Sequence, residues 1–133
     1  MIPGLLEEWS PSDVSRPYWE GAERHALSLQ RCTSCRRFQH PPRPFCIGCG
    51  GTPTFVTVRG TGIVYSYTVV QRALLPELRP IVPYVLALVD LDEAVRLITI
   101  IRGLNPKQMA IGISVRVDYE RVGRATLPIF RPA

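Results

Sequence analysis

Lysine is nearly missing from this chain: Lys107 stands alone among 16 basic residues, so arginine carries almost all of the positive charge behind the net +5 at pH 7. No basic tract results, which argues against a module that follows a nucleic-acid backbone by charge alone. Histidine is scarce as well. His25 and His40 are the only two, and neither lies near a serine or cysteine in a nucleophilic pattern, so no self-sufficient hydrolytic site can be read. No run of eighteen apolar residues exists, and nothing is expected to span a membrane. The first twenty residues lack a basic start followed by an apolar stretch and already carry Glu7, Glu8 and Asp13, so a cytoplasmic location is expected. A phosphate-cradling glycine loop is also missing, because RGTG (59–62) falls between strand-like segments and not before a helix.

Four cysteines are present, and their spacing carries the chemistry. Cys32/Cys35 and Cys46/Cys49 form two Cys-x-x-Cys knuckles separated by ten residues, CTSCRRFQHPPRPFCIGC. Two knuckles bring four thiolates to the corners of a tetrahedron, the closed shell of structural zinc, with no open position for a catalytic water. Iron is the rival metal for such a set. In a reducing compartment, metal is favoured over disulfides. Each knuckle needs a sharp backbone reversal: Gly50 and Gly51 supply the left-handed geometry after the second pair, whereas Arg36 and Arg37 follow the first. Pro41, Pro42 and Pro44 make a helix between the pairs improbable.

The rest of the chain reads as mainly β. Residues 1–12 look like a flexible or partner-bound arm, with Trp9 and Leu5/Leu6 as anchors, and Ser15 is expected to cap a helix over Arg16–His25. Short strands lead into and out of the first knuckle. The β-branched stretch from Thr54 opens a second texture, with Gly60 and Gly62 marking a bulge or bend before a long strand over Ile63–Val70. Residues 84–102 read as a hairpin, Asn105-Pro106 opens a short turn, and strands follow over 114–122 and 127–130. This pattern predicts an N-terminal arm and helix (1–26), a zinc ribbon (27–53) and a small closed barrel (54–133). A long, bent first strand favours the five-stranded OB-fold (oligonucleotide/oligosaccharide-binding) barrel, although texture alone leaves an SH3-like barrel open.

The candidate acids Asp90, Asp92 and Glu93 sit at a hairpin tip and are expected to be solvated turn residues, not a catalytic pair. An arginine-rich surface suits a partner or ligand bearing phosphate or carboxylate, equally with an ordinary solvated surface.

Taken in order, PYWEGAERHALSLQRCTSC, FQHPPRPFCIGCG, RGTGIVYSYTVV, VPYVLALVDLDE, IGISVRV and LPIF resemble the zinc-ribbon and OB-fold proteins of domain-of-unknown-function family thirty-five, which accompany acyl-CoA enzymes. The resemblance covers nearly everything after Ser15. It departs at Arg36 and Ala94, where relatives commonly have glycine. It implies a rubredoxin-like zinc ribbon on Cys32, Cys35, Cys46 and Cys49, and a non-catalytic subunit of a hetero-oligomer. The partner would be a thiolase-like enzyme (aldolase, acyltransferase or thiolase, including steroid side-chain degradation) or a hot-dog-fold enoyl-CoA hydratase, with the subunit helping to form the acyl-CoA channel. Arg59, Arg72 and Arg102 are the candidate CoA-binding residues; Tyr65, Tyr67 and Trp19 are candidates for the ligand or partner face. A single-stranded nucleic-acid module is the alternative from another class, and an enzyme acting on acyl-CoA by itself is a third.

Overall fold

A computed structural model describes residues 6–133; Leu5 and the four residues before it, part of the expected arm, lie outside the described residues. From Leu6 onward the arm folds back on the chain. Arg124 donates its amide to the Leu6 carbonyl, and the Trp9 ring packs edge-on against Trp19 with centroids 4.8 Å apart. Helix α1 spans Arg16–Glu23, two residues shorter than expected. His25 takes φ +57, and the His25 and Ala26 amides donate to the carbonyls of Ala22 and Gly21, a left-handed C-terminal cap that stops the helix. Ser15 does not cap it: the Ser15 hydroxyl donates back to the Ser12 carbonyl.

Eight strands follow: β1 (Leu27–Cys32), β2 (Phe38–Gln39), β3 (Pro53–Val58), β4 (Thr61–Val70), β5 (Tyr84–Leu91), β6 (Arg96–Ile101), β7 (Ser114–Val122) and β8 (Ala125–Pro132). They form two units, a sheet in the order β2-β1-β3 and a closed barrel in the order β4-β5-β6-β8-β7. Strand β3, expected to open the barrel, pairs along its length with β1, from Leu27 opposite Val58 to Cys32 opposite Pro53. A bend at Gly60, φ +77, then turns the chain out of that sheet and into β4. The barrel closes where β4 meets β7, and β8 reaches β6 in parallel through Ile101 and Phe130. This connectivity is the five-stranded OB-fold.

The core follows from strand periodicity. Val85, Ala87, Val89 and Leu91 alternate inward on β5 and meet Leu97 and Ile101 of β6, Val64, Val115 and the fully enclosed Phe130. Leu27 and Leu29 of β1 and Tyr18 of α1 join the same cluster, so the ribbon sheet and the barrel share one apolar body. Burying it supplies the main favourable term in folding.

Two of the positions at which glycine is missing are left-handed: Arg36 at φ +66 and Ala94 at φ +62. An L-residue pays about 1–2 kcal/mol there, partly offset by the greater flexibility of an unfolded glycine. Ala94→Gly is therefore expected to stabilise the chain by about 0.5–1 kcal/mol, read as a higher urea midpoint with unchanged slope. A lower midpoint would show that the β5–β6 turn is not strained.

Candidate metal centre and flanking surfaces

The first knuckle hangs from the end of β1 and the second from the loop that returns to β3. Together they bring the sulfurs of Cys32, Cys35, Cys46 and Cys49 within 4.8 Å of one another. The Cys32–Cys49 and Cys35–Cys46 sulfurs stand 3.5 and 3.7 Å apart. A tetrahedron with Zn–S bonds of about 2.3 Å has edges of about 3.8 Å, whereas a disulfide is bonded at about 2.0 Å. The donor set thus fits zinc and not a pair of crosslinks. Backbone amides of Ser34 and Cys35 point at the Cys32 sulfur, and that of Gly48 at the Cys46 sulfur. The Cys35 amide is the largest influence holding the Cys32 thiol down to about 6. At Cys35 the Arg37 amide pulls the other way, but desolvation and the crowded sulfurs of Cys46, Cys49 and Cys32 push the thiol up to about 11. Four neighbouring thiols cannot all ionise without a cation among them, which is what bound zinc supplies.

Gly50 takes the expected left-handed turn, φ +78. Gly51 has a different role from the one expected of it. A Cβ there would sit 2.8 Å from the Cys32 sulfur and 3.2 Å from that of Cys49, so the residue is bare because the sulfurs pass beside it.

Sequence reasoning missed the residues that hold the second knuckle. Gln30 on β1 and Gln39 on β2 face each other in register, both buried. The Gln30 carboxamide oxygen accepts from the Arg43 amide and from Gln39 Nε2, while Gln30 Nε2 donates to the Arg43 carbonyl. Gln39 in turn accepts from the Ile47 amide and donates to the Phe45 carbonyl, clasping Cys46 from both sides. Gln39→Ala removes the partners of the part-buried Ile47 amide and Phe45 carbonyl, at about 1 kcal/mol each. Zinc affinity is expected to fall at least tenfold in competition with a chromogenic chelator, as for outer-shell partners of other metal sites. Unchanged affinity would reduce the pair to packing.

The remaining candidates are scattered. Arg59 and Arg72 flank opposite ends of β4, a ten-residue strand, and are not brought together. Arg59 is exposed beside a groove lined by Phe38, Val56, Asp92 and Glu93. Arg72 is exposed after β4, and Arg102 follows β6 at that same end of the barrel. Arg102 is committed to a bidentate pair with Glu120, N–O 3.1–3.2 Å. Tyr65 is half exposed with the Arg96 guanidinium over its ring at 3.4 Å, whereas Tyr67 points inward and donates to the Met109 carbonyl. Trp19 is half-buried between Trp9 and Tyr18.

The hairpin-tip acids form no acid/base pair. Asp90 is held by Arg96 at 2.6 Å, whose hydrogen bond keeps its carboxyl below the usual range, and Asp92 accepts from the Thr61 hydroxyl. Glu93, expected to be solvated, is half-buried because the tip folds against the ribbon, and its Oε1 has no hydrogen-bond partner. His25 stacks on Tyr119 and His40 packs on Tyr18. No helix among the described residues is long and apolar enough to cross a membrane.

Comparison with known proteins adds two family matches: the rubredoxin-like zinc ribbon domain of ChsH2 over residues 19–55, and the C-terminal OB-fold domain of ChsH2 over residues 55–120. A probable enoyl-CoA hydratase alpha subunit of Thermomonospora curvata is 42% identical over 118 residues, covering 87% of this chain and 36% of the relative. The 3-oxo-4,17-pregnadiene-20-carboxyl-CoA hydratase alpha subunit of Mycobacterium tuberculosis is 36% identical, with 88% and 37% covered. The chain thus spans little more than a third of the length of these two relatives. A DUF35 domain-containing scaffold protein of Methanocaldococcus jannaschii is 31% identical and is matched over 78% of its length, 82% of this chain. Among solved structures, a chain of the Ltp2–ChsH2(DUF35) aldolase superposes with a TM-score of 0.84 at 37% identity, covering 93% of this chain and 98% of that one.

Proposed function

The chain belongs to the DUF35 family, with the zinc ribbon and OB-fold of ChsH2, and from that premise we propose that it is a non-catalytic accessory subunit of a thiolase-like acyl-CoA enzyme. The observation that carries this reading is the near end-to-end match to the DUF35 chain of an aldolase complex. Two features of the chain support it. The metal shell is filled by four sulfurs and leaves no position for a reacting water, so its metal is structural. The hairpin acids are committed to Arg96 and Thr61 or turned against the ribbon.

In this role the barrel would complete the channel through which an acyl-pantetheine arm reaches the partner's reactive groups. Arg59 and Arg72 are the free guanidinium groups proposed to meet CoA phosphates. Arg102 would join only by releasing Glu120. We propose the division at 1–26, 27–53 and 54–133 as the organisation, with β3 bridging ribbon and barrel. The two hydratase alpha subunits among the relatives favour a second reading, a partner of an enoyl-CoA hydratase.

The test is an affinity pull-down of the tagged chain from its own cells, with bound proteins identified by mass spectrometry. A thiolase-like enzyme is the expected catch, and a hydratase would select the second reading. Nuclease-sensitive recovery of ribosomal or polymerase proteins alone, or turnover of acyl-CoA by the purified chain, would overturn both.

A further inference from the structure

The β5–β6 hairpin is apolar on both faces. Its inward residues fill the barrel, yet Leu86, Leu88, Ile98 and Ile100 on the outward face are apolar too. The register sets them in two cross-strand pairs, Leu86 opposite Ile100 and Leu88 opposite Ile98. A solvated antiparallel strand alternates apolar with polar residues, and strands apolar at both parities are covered on both faces. Here one cover is the core. On the other face Ile98 remains 66% exposed. Two hollows of about 190 and 240 Å³ lie on either side of a ridge formed by Leu86 and Ile98, one toward Ser66 and Thr68 of β4, the other toward Trp19 and Leu127.

We infer that this outer wall, centred on Ile98, is where the partner enzyme subunit docks, with apolar side chains of the partner seated in the two hollows. The inference rests on the accessory-subunit reading and names its surface. Charge excludes a polyanion as the occupant. The cation nearest the ridge on β6, Arg96, is neutralised by Asp90 and laid on the Tyr65 ring, and β4 offers hydroxyls at Ser66 and Thr68. The ridge and the two hollows are lined by no charged residue, so a nucleic acid would find no free positive charge there to displace its counterions, whereas an apolar protein surface would meet no unpaired charge to desolvate.

Area argues against the wall alone joining two copies of this chain. By strand spacing and rise, the wall from β4 to β8 is about 14 by 20 Å, about 300 Å². A stable interface takes about 800 Å² from each partner. Two such walls pressed together fall short. A larger subunit that continues past the ridge onto the half-exposed Ile63 and Tyr65 on one side, and onto Trp19 and Trp9 on the other, can reach it.

The test uses the acyl-CoA enzyme identified in the pull-down, titrated against immobilised wild-type chain, Ile98→Asp, Leu88→Ser and, away from the wall, Arg121→Glu, all checked for zinc content and circular dichroism. Ile98→Asp is expected to weaken binding at least about thirtyfold, the loss of a central anchor. Leu88→Ser should weaken it several-fold, and Arg121→Glu should bind as wild type. Should Ile98→Asp lose its fold, Leu88→Ser decides. Undiminished binding by the wall variants overturns the surface and leaves the accessory role standing. Failure of the wild type to recover any acyl-CoA enzyme removes the role and the surface together. Light scattering is expected to find the isolated chain monomeric; a dimer that Ile98→Asp dissociates would give the wall to a second copy and overturn the assignment.

Discussion

Stripping zinc with a strong chelator at neutral pH is expected to unfold the knuckles and the loop between them while the barrel keeps its strands. The ribbon has little of its own to hold it. Strand β2 is two residues long, and Phe45 and Ile47, which flank Cys46, are 57% and 67% exposed. Structural zinc in isolated fingers is worth about 10–16 kcal/mol at neutral pH, as much as the whole stability of a typical domain. The amides that close the knuckles, from Arg36 to the Cys32 carbonyl, Cys46 to Gly51 and Gly50 to Cys46, should therefore lose hydrogen-exchange protection on chelation. Leu27 and Leu29 should keep theirs, because their side chains are buried in the core cluster shared with the barrel. Cys32→Ser should give the same pattern. Acidification should as well, since the ligands bind as thiolates and protons compete with the metal. Identical protection with and without zinc would mean that the ribbon is held by packing and the metal is incidental.

This division between metal and core was partly legible in the sequence. The knuckles were, because two residues between ligands in each pair, with glycine after the second, state a geometry outright. Arg36 and Ala94 were legible as departures from glycine, and both take the left-handed conformation that glycine would have eased. Gln30 and Gln39 were not. A polar residue in a short strand reads as the solvated face, and only the cross-strand register turns the pair into a clasp around Cys46. The place of β3 was hidden for a related reason: β-branched residues suit either sheet, and nothing local says that Pro53–Val58 pairs backward with β1. Arg102 looked free because Glu120, its partner, is 18 residues away on another strand. Long-range pairing is what sequence texture lacks, and it decided each of these cases.

Gly62, expected with Gly60 to mark a bulge or bend, lies instead in regular pairing, because the register of β4 shifts only between Val64 and Ser66; what requires glycine here is a close approach of β5. Gly62 pairs with Leu91 of β5 on one side and with Val115 of β7 on the other, the point at which the barrel closes. A Cβ on Gly62 would stand 2.3 Å from the Asp90 carbonyl oxygen and 3.0 Å from two further backbone atoms of β5. No rotamer can relieve a clash with backbone, so Gly62→Ala must push β5 away from β4. Overpacking costs about 1–3 kcal/mol and at times more, and a strand pinned on both sides places this variant at about 3 kcal/mol or above. Gly50→Ala is the matched control. Gly50 is left-handed at φ +78 with nothing within 4 Å of the added carbon, so it pays the backbone term of about 1–2 kcal/mol and no steric one. Urea melts of the two zinc-loaded variants should therefore separate, with Gly62→Ala the less stable and with its zinc retained. The same displacement moves Leu88 relative to Ser66, which are paired across β4 and β5. Gly62→Ala should accordingly weaken the partner enzyme's hold on the Ile98 wall, although Gly62 itself is buried. Equal melts for the two glycine variants would show that β5 yields at the closure point, and the wall built on it would then be no rigid docking surface.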